Sequence, residues 1–167
     1  MFSSSALPSV VKKGHSLLIK VAEALQPVIL LLFRLHWGWQ FFQTGKGKLL
    51  NHENVVQFFT SLGIPAPEAN AWFVGAVECV GGLFLMFGLA GRPVGFVLAA
   101  NMIVAYLSVP EDRATVSGLF TDPEPFLNAD PFFFLLASLL VFAFGAGSFS
   151  LDALLKRFFE KRRAALL

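Results

Sequence analysis

The chain has 167 residues, of which 56% are hydrophobic and only 14% are charged, and its formal net charge is +2. With a mean hydropathy of +0.67, it has too little polar surface to solvate a globule of this size. This excludes an ordinary soluble domain and favours a single membrane domain over residues 1–167. The single cysteine, Cys79, excludes an intramolecular disulfide, a CxxC redox pair and a cysteine-based zinc site.

Four apolar segments predict an all-α fold, a bundle of four transmembrane helices. About 20 apolar residues are enough to cross the hydrocarbon core of a bilayer, and the segments run over residues 25–43, 70–89, 93–109 and 131–147. The tight turn before Pro93 makes the second and third spans an antiparallel hairpin, since proline suits the first turn of a helix.

The connections between the spans have two different patterns. Residues 51–62 predict a short amphipathic helix in the first outer loop, with Val55, Val56, Phe59 and Leu62 on one face. This helix either rests on the membrane surface or covers a pocket between the spans as a lid. Residues 110–130 are acidic and contain three prolines, which predicts an irregular connection.

The distribution of Lys and Arg predicts the orientation in the membrane. The side with the N-terminus, the turn at Arg92 and the tail over residues 151–167 holds nine basic residues, and the other side holds three. Because Lys and Arg concentrate in cytoplasmic loops, we expect both termini to be cytoplasmic. We also expect residues 8–24 and the basic tail to be amphipathic. A span adjoins the tail, which favours an anionic leaflet over nucleic acid as its partner.

Two ionisable residues lie inside apolar spans. Glu78 lies in NAWFVGAVECVGGLFLMFGL and Arg34 in PVILLLFRLHWGWQFF, where a charge near the bilayer centre costs on the order of 3 kcal/mol. Glu78 shares a helix face with Gly75 and Gly82, and Gly38 and Gly45 lie on the face of Arg34. Because small residues permit close helix approach, we expect these faces to meet and Arg34 to pair with Glu78. The pair is then either a structural lock or a functional site.

Other polar residues extend this candidate site. His36 and Gln40 lie on a second face of the first span, and Asn101 on the third span either joins helices by a hydrogen bond or contacts a ligand. The candidate ligand-binding residues are Arg34, His36, Gln40, Lys48, Glu78, Asn101 and Tyr106. The sequence shows no phosphate-loop or dinucleotide spacing and no metal or haem motif. It therefore assigns no catalytic residue.

Five segments, taken in order, resemble the DoxX family. They are RLHWGWQFFQTGKGKL, FFTSLGIPAP, VGAVECVGGLFLMFGLAGRP, NMIVAYLSV and GAGSFSLDALL. The resemblance covers residues 34–155, except for the acidic connection at 110–130, which matches no pattern of the family. It implies a four-helix protein of the bacterial inner membrane. The recurrent polar positions of the family fall on Arg34, Gly45, Lys48, Glu78, Gly81, Gly82 and Arg92.

The resemblance implies several functions and does not choose among them. Some relatives reduce quinone during thiosulfate oxidation, and others associate with a superoxide dismutase and a sulfurtransferase in oxidative-stress complexes. The first hypothesis is a redox-linked subunit that binds a quinone or another lipid-soluble ligand near Glu78, with electrons from a partner. The second is a non-enzymatic scaffold that docks soluble redox enzymes. The third is a small-solute or lipid transporter, for which a homo-oligomer would form the path.

Overall fold

The computed structural model describes residues 9–164, with side chains from residue 13 onwards. Residue 8 of the predicted N-terminal segment and residues 165–167 of the predicted tail lie outside the described residues. Within residues 9–164 the chain is all-helical and contains no strand. The helices are α1 (Ser9–Leu50), α2 (His52–Ser61), α3 (Pro67–Phe87), α4 (Gly91–Ser108), α5 (Pro110–Ser117), α6 (Glu124–Asn128), α7 (Pro131–Phe144) and α8 (Leu151–Ala164).

Three of the described helices are long and apolar enough to cross a membrane, namely Lys13–Leu50 within α1, α3 and α4. The fourth predicted span corresponds to α7, an apolar helix of 14 residues. At 1.5 Å per residue, α7 is about 21 Å long, which is less than the hydrocarbon thickness of about 30 Å. The helix is therefore present where the sequence predicts it, but it is shorter than a typical span.

The first helix is much longer than the predicted span. α1 has 42 residues, about 63 Å at the usual rise, and it joins the predicted N-terminal segment to the first span without a break. Pro27 lies inside it and removes the hydrogen bond that residue 27 would otherwise donate to the carbonyl of Glu23. The helix continues through this position.

Helices α1 and α3 pack closely through the glycine faces predicted from the sequence. A Cβ atom added to Gly38 would lie 2.7 Å from the backbone nitrogen of Met86 and 2.8 Å from the carbonyl oxygen of Gly82. In the same way, a Cβ atom added to Gly45 would lie 2.7 Å from the carbonyl oxygen of Gly75. Backbone therefore lies against backbone, and only glycine fits at these crossings.

The core joins these two helices to α4 and α7. It contains Phe41 from α1, Leu85 from α3, Leu98 and Met102 from α4, and Val141 from α7. A Cβ atom added to Gly95 of α4 would lie 2.8 Å from the carbonyl oxygen of Ser138 on α7. Two close helix pairs, α1 with α3 and α4 with α7, thus meet along one apolar core.

The acidic connection is not irregular as predicted, because residues 110–130 contain α5 and α6. Pro110 begins α5 and Pro125 lies in the first turn of α6. The first turn of a helix has backbone N–H groups without intrahelical acceptors, so proline, which lacks that group, is tolerated there. The prolines of this segment start helices and do not prevent them.

Candidate functional site

Glu78 is buried in the middle of α3 with partners from two other helices. Its residue is 2% exposed. Its Oε2 accepts a hydrogen bond from Lys48 Nζ of α1 at 2.5 Å, and its Oε1 accepts one from Asn101 Nδ2 of α4 at 3.1 Å. A buried carboxylate is costly unless it is paired and hydrogen-bonded. Glu78 has both a cation and an amide donor, and this arrangement joins three helices at one point.

The predicted ion pair between Arg34 and Glu78 is wrong, although the two faces that carry these residues do meet. In the antiparallel α1–α3 pair, Gly38 lies against Gly82, and the guanidinium of Arg34 lies against Gly88 and not near Glu78. The offset between Gly88 and Glu78 corresponds to about 15 Å along the helix axis. Because helical side chains tilt towards the N-terminus of their own helix, Arg34 also points away from Glu78.

Lys48 occupies the position from which a cation of α1 reaches Glu78. It lies near the other end of the face that carries Arg34, and the tilt of its side chain towards the N-terminus of α1 directs Nζ back to the centre of α3. Its side chain is 31% exposed, whereas that of Glu78 is 3% exposed. The ion pair therefore has one partner that remains accessible and one that is enclosed.

Arg34 instead holds the segment that leads into α8. It is 1% exposed, and its Nη2 donates a hydrogen bond to the carbonyl oxygen of Phe149 at 2.5 Å. Nε and Nη1 are buried and have no hydrogen-bond partner among the described residues. A Cβ atom added to Gly88 would collide with Nη1, so the guanidinium lies against the backbone at the end of α3. Arg34 thus belongs to a second buried polar cluster at the opposite end of the bundle.

Asp152 completes this second cluster, and sequence reasoning missed its role. Its Oδ1 and Oδ2 accept hydrogen bonds from the backbone N–H groups of Ala90 and Gly91, both at 2.8 Å. Its own N–H donates to the carbonyl oxygen of Gly88 at 3.1 Å. Ala90 has a left-handed backbone and no side-chain cap of its own. Asp152 therefore supplies the N-terminal cap of α4 from a distant part of the chain.

The Glu78 cluster borders a cavity of about 470 Å³, which is within the range of small-molecule sites. Lys48, Glu78 and Asn101 form a polar patch on a wall that is otherwise mostly apolar. The side chains that complete the lining are Thr44, Phe58, Phe59, Leu62, Ile64, Asn70, Val74, Met102, Val104, Ala105, Ser108, Val109, Asp130, Pro131 and Phe134. The cavity therefore suits an apolar molecule with one polar group.

Helix α2 covers part of this cavity. Phe58 and Phe59 come from α2, and Leu62 and Ile64 come from the residues that follow it. The ring of His52 at the start of α2 stacks on Trp72 of α3 with 4.3 Å between the ring centroids. Of the two positions open from the sequence, membrane surface or lid, these contacts favour the lid.

The structure brings three of the seven candidate residues together, namely Lys48, Glu78 and Asn101. Arg34 lies in the second cluster, as described above. His36 is exposed and contacts the edge of the Trp37 ring at 5.0 Å, and Gln40 is half-buried. Neither of them lines the cavity.

Tyr106 also lies outside the lining, although it is buried. Its hydroxyl donates to the carbonyl oxygen of Phe126 at 2.8 Å, and the two rings stack at 4.7 Å. Tyr106 therefore holds α6 against α4.

Several lining residues that the sequence interpretation missed follow from helical periodicity. Thr44 lies four residues before Lys48, Val74 lies four residues before Glu78, and Ala105 lies four residues after Asn101. Residues four apart lie on the same face of a helix. The three polar residues would therefore have predicted these neighbours once they were known to share a site. Phe134 on α7 had no such signal.

The acidic connection adds negative charge near the cavity. Asp130 belongs to the lining of the cavity, and its negative charge acts on the carboxyl of Asp112 in α5. Burial raises the pKa of the Asp112 carboxyl, and the neighbouring charges of Asp130 and Glu111 raise it further. Both neighbouring carboxylates therefore disfavour ionisation of Asp112.

The arrangement can bind and can exchange a proton. Lys48 Nζ and Asn101 Nδ2 are donors that suit a carbonyl oxygen of a ligand, and Glu78 is an acceptor that suits a ligand hydroxyl. A carboxylate within hydrogen-bond reach of such a hydroxyl can act as a general base.

Comparison with known proteins identifies the family. Residues 29–111 match the family model described as DoxX. Over 79 residues the chain is 39% identical to a protein of Bacillus subtilis (strain 168) named "Putative oxidoreductase CatD", and this match covers 47% of this chain and 58% of the relative. The chain thus matches less than two thirds of that relative's length. No solved structure matches the chain. With its apolar helices and this match, the chain is a multi-pass membrane protein of the DoxX family.

Proposed function

We propose that this protein binds a lipid-soluble molecule with a polar head group, of the quinone class, in the Glu78 cavity and thereby supports redox or oxidative-stress chemistry at the membrane. The observation that carries the proposal is the polar patch of Lys48, Glu78 and Asn101 on the wall of an otherwise mostly apolar cavity of about 470 Å³. The name of the Bacillus subtilis relative, an oxidoreductase, supports a redox role.

In this proposal the residues of the cavity have separate tasks. Lys48 and Asn101 hold a ring carbonyl of the ligand by donated hydrogen bonds, and the apolar lining from α2, α4 and α7 holds the ring and excludes water. A quinone takes up two electrons and two protons on reduction. The chain has no redox-cofactor motif of its own, so a partner protein supplies the electrons. The protons come from solvent, which reaches the partly exposed Lys48, and Glu78 passes them one after the other to the ligand oxygens.

The proposal includes four membrane-spanning helices, with α7 as the fourth, in a bacterial inner membrane. The basic residues at the end of the bundle that carries Arg92 and α8 favour a cytoplasmic location for both termini. The cavity lies at the opposite end, which carries the acidic α5 and α6. A short α7 is compatible with a span, because a bilayer thins locally around short apolar helices.

A binding titration tests this proposal. The purified protein in lipid nanodiscs is titrated with a short-chain ubiquinone or menaquinone analogue, and the fluorescence of its tryptophans is recorded. We expect saturable binding that weakens by about tenfold or more in Glu78→Gln, since a lost hydrogen bond to a charged group is worth about 1.5–3 kcal/mol. The matched control is Glu68→Gln, the same chemical change at an exposed position of α3, which leaves binding unchanged. Absent or non-saturable binding, or equal binding by both variants, would overturn the proposal.

A further inference from the structure

Helix α8 is an amphipathic helix without a partner in the described part of the chain. None of its residues is buried. Its large apolar side chains are between 39% and 62% exposed: Leu151, Leu154, Leu155, Phe158 and Phe159. With 14 residues and several charges it is too short and too polar to span a bilayer. An apolar face of this kind either binds another molecule or lies in the membrane interface.

The start of α8 is fixed at the level where α3 ends and α4 begins. The carboxylate of Asp152 caps α4 through Ala90 and Gly91, and its N–H donates to Gly88. Arg34 of α1 donates a hydrogen bond to the carbonyl oxygen of Phe149, two residues before α8 begins. Because two apolar helices turn around at this level, it marks one boundary of the hydrocarbon region. α8 therefore leaves the bundle at the height of the lipid head groups.

The charges of α8 are arranged for an anionic surface. Lys156, Arg157 and Arg163 lie on the side of the helix opposite the apolar face, and Lys161 lies at the border. Arg162 lies on the apolar side, where its guanidinium stacks over the ring of Phe158 at 5.2 Å. From there a long side chain reaches the interface while its stem stays in apolar surroundings.

Acidic residues of α8 do not cancel these cations. The carboxylate of Asp152 is occupied with the cap of α4. Glu160 lies 4.0 Å from Lys156, with both side chains mostly exposed, and a surface pair of this kind is weak. Exposed Arg92 at the start of α4 adds another cation at the same end of the bundle. The whole surface is thus apolar on one side and positive on the other.

We propose that α8 binds the anionic phospholipids of the adjoining leaflet and transmits this binding to the bundle through Asp152 and Arg34. The apolar face inserts among the acyl chains, and the cations bind phosphate groups of lipids such as phosphatidylglycerol. Because Asp152 belongs to α8 and also caps α4, a helix held by lipid keeps the cap in place. Anionic lipid therefore stabilises the α3–α4 turn as well as α8 itself.

Hydrogen exchange on the full-length protein in nanodiscs tests the lipid contact. We compare discs of phosphatidylcholine alone with discs that contain phosphatidylglycerol. In the anionic discs, amides of residues 153–164 exchange more slowly, by several hundredfold, because each of four basic residues near such a surface strengthens binding by roughly fivefold. Replacing these four residues, Lys156, Arg157, Lys161 and Arg163, by Gln removes most of the difference. The control variant, Lys46→Gln with Arg113→Gln at the opposite end, retains it.

The result distinguishes lipid from the alternatives. Equal exchange in the two kinds of disc, or slow exchange that survives the fourfold Gln replacement, overturns the proposal. Slow exchange that requires an added soluble protein also overturns it, because the partner is then a protein. Asp152→Asn tests separately whether lipid binding at α8 stabilises the bundle. We expect this variant to keep the slow exchange of α8 in anionic discs, whereas its thermal midpoint no longer rises with anionic lipid. If that variant does not fold, Arg34→Lys tests the same transmission through the bond to Phe149.

Discussion

Lys48 reaches across the α1–α3 interface to Glu78, with 2.5 Å between Nζ and Oε2. This relationship combines a nearly enclosed carboxylate with a cation that stays partly accessible. An enclosed carboxylate without its cation would be strongly unfavourable. Under the proposed function, a ligand head group in the cavity contacts both groups, so the pair that stabilises the fold also supplies the donors and the acceptor for the ligand.

The first prediction separates the two members of this pair. Lys48→Met leaves Glu78 buried without its cation, and we expect the free energy of unfolding to fall by about 3 kcal/mol. Adding Glu78→Gln to Lys48→Met removes the unpaired charge, so the double variant regains most of the lost free energy of unfolding. Unfolding in mixed micelles with a denaturing detergent measures both. Lys46→Met, an exposed change two residues away, is the control and leaves stability nearly unchanged. A double variant as unstable as the sum of the single variants would contradict the role given to the pair.

The second prediction concerns the glycine contacts between α1 and α3. Gly45→Ala places a methyl group 2.7 Å from the carbonyl oxygen of Gly75 and against the backbone of Cys79, so the helices must move apart. We expect a loss of about 2 kcal/mol, as for other overpacked sites. Gly47 has no atom within 4 Å of an added Cβ. Gly47→Ala in the same helix is therefore neutral, or stabilising by up to about 1 kcal/mol through helix propensity.

Thermal unfolding in the same detergent measures the two glycine variants side by side. We expect a lower midpoint for Gly45→Ala than for Gly47→Ala, because helix propensity changes equally at both positions and only the contact differs. Equal midpoints would show that α1 and α3 do not approach each other as closely as described.

Helices α1, α3, α4 and α7 follow from the sequence, as does the face through which α1 meets α3, but the pairing of charges does not. The spacing of Gly38 and Gly45 predicts the face of α1 that meets α3, because periodicity defines an angle around the helix axis. It does not define a height along that axis. Arg34 and Lys48 share this face about 21 Å apart, and only the antiparallel register of the glycines determines which of them reaches Glu78.

The second cluster was beyond sequence reasoning for a related reason. Asp152 caps a helix that begins at Gly91, and no local pattern joins residues so far apart in the chain. The sequence around Ala90 shows no capping side chain, which is the signal that a cap comes from elsewhere. The prolines of residues 110–130 misled in the opposite direction, because a proline that ends one helix can also begin the next.

The third prediction is a pH dependence from the acidic connection. Burial and the charges of Asp130 and Glu111 raise the pKa of Asp112 above its ordinary value of 3.8. In the window between the ordinary and the raised pKa, the folded protein binds more protons than the unfolded one. Stability therefore falls as pH rises through that window, and it increases as pH falls. At neutral pH the ionised Asp112 opposes folding.

Asp112→Asn removes this opposition and this part of the pH dependence. We expect a higher thermal midpoint than wild type at pH 7 and a smaller difference at pH 4, measured by differential scanning fluorimetry across the range. Asp122→Asn, an exposed change on the same connection, is the control and leaves the profile unchanged. A variant that is less stable than wild type at pH 7 would mean that Asp112 makes a favourable contact that outweighs its repulsion.

The last prediction tests whether α2 is a lid on the cavity. The ring of His52 stacks on Trp72, and a contact between aromatic rings is worth about 0.5–1.5 kcal/mol beyond its buried area. Trp72→Ala removes this contact, so amides of α2 should exchange with solvent about fivefold faster. Phe73→Ala is the matched control, since Phe73 is the next residue of α3 and is also largely exposed. A helix that merely rests on the membrane surface would respond equally to both changes. Faster exchange in Trp72→Ala alone means that α2 opens and closes over Glu78 by breaking its contact with α3.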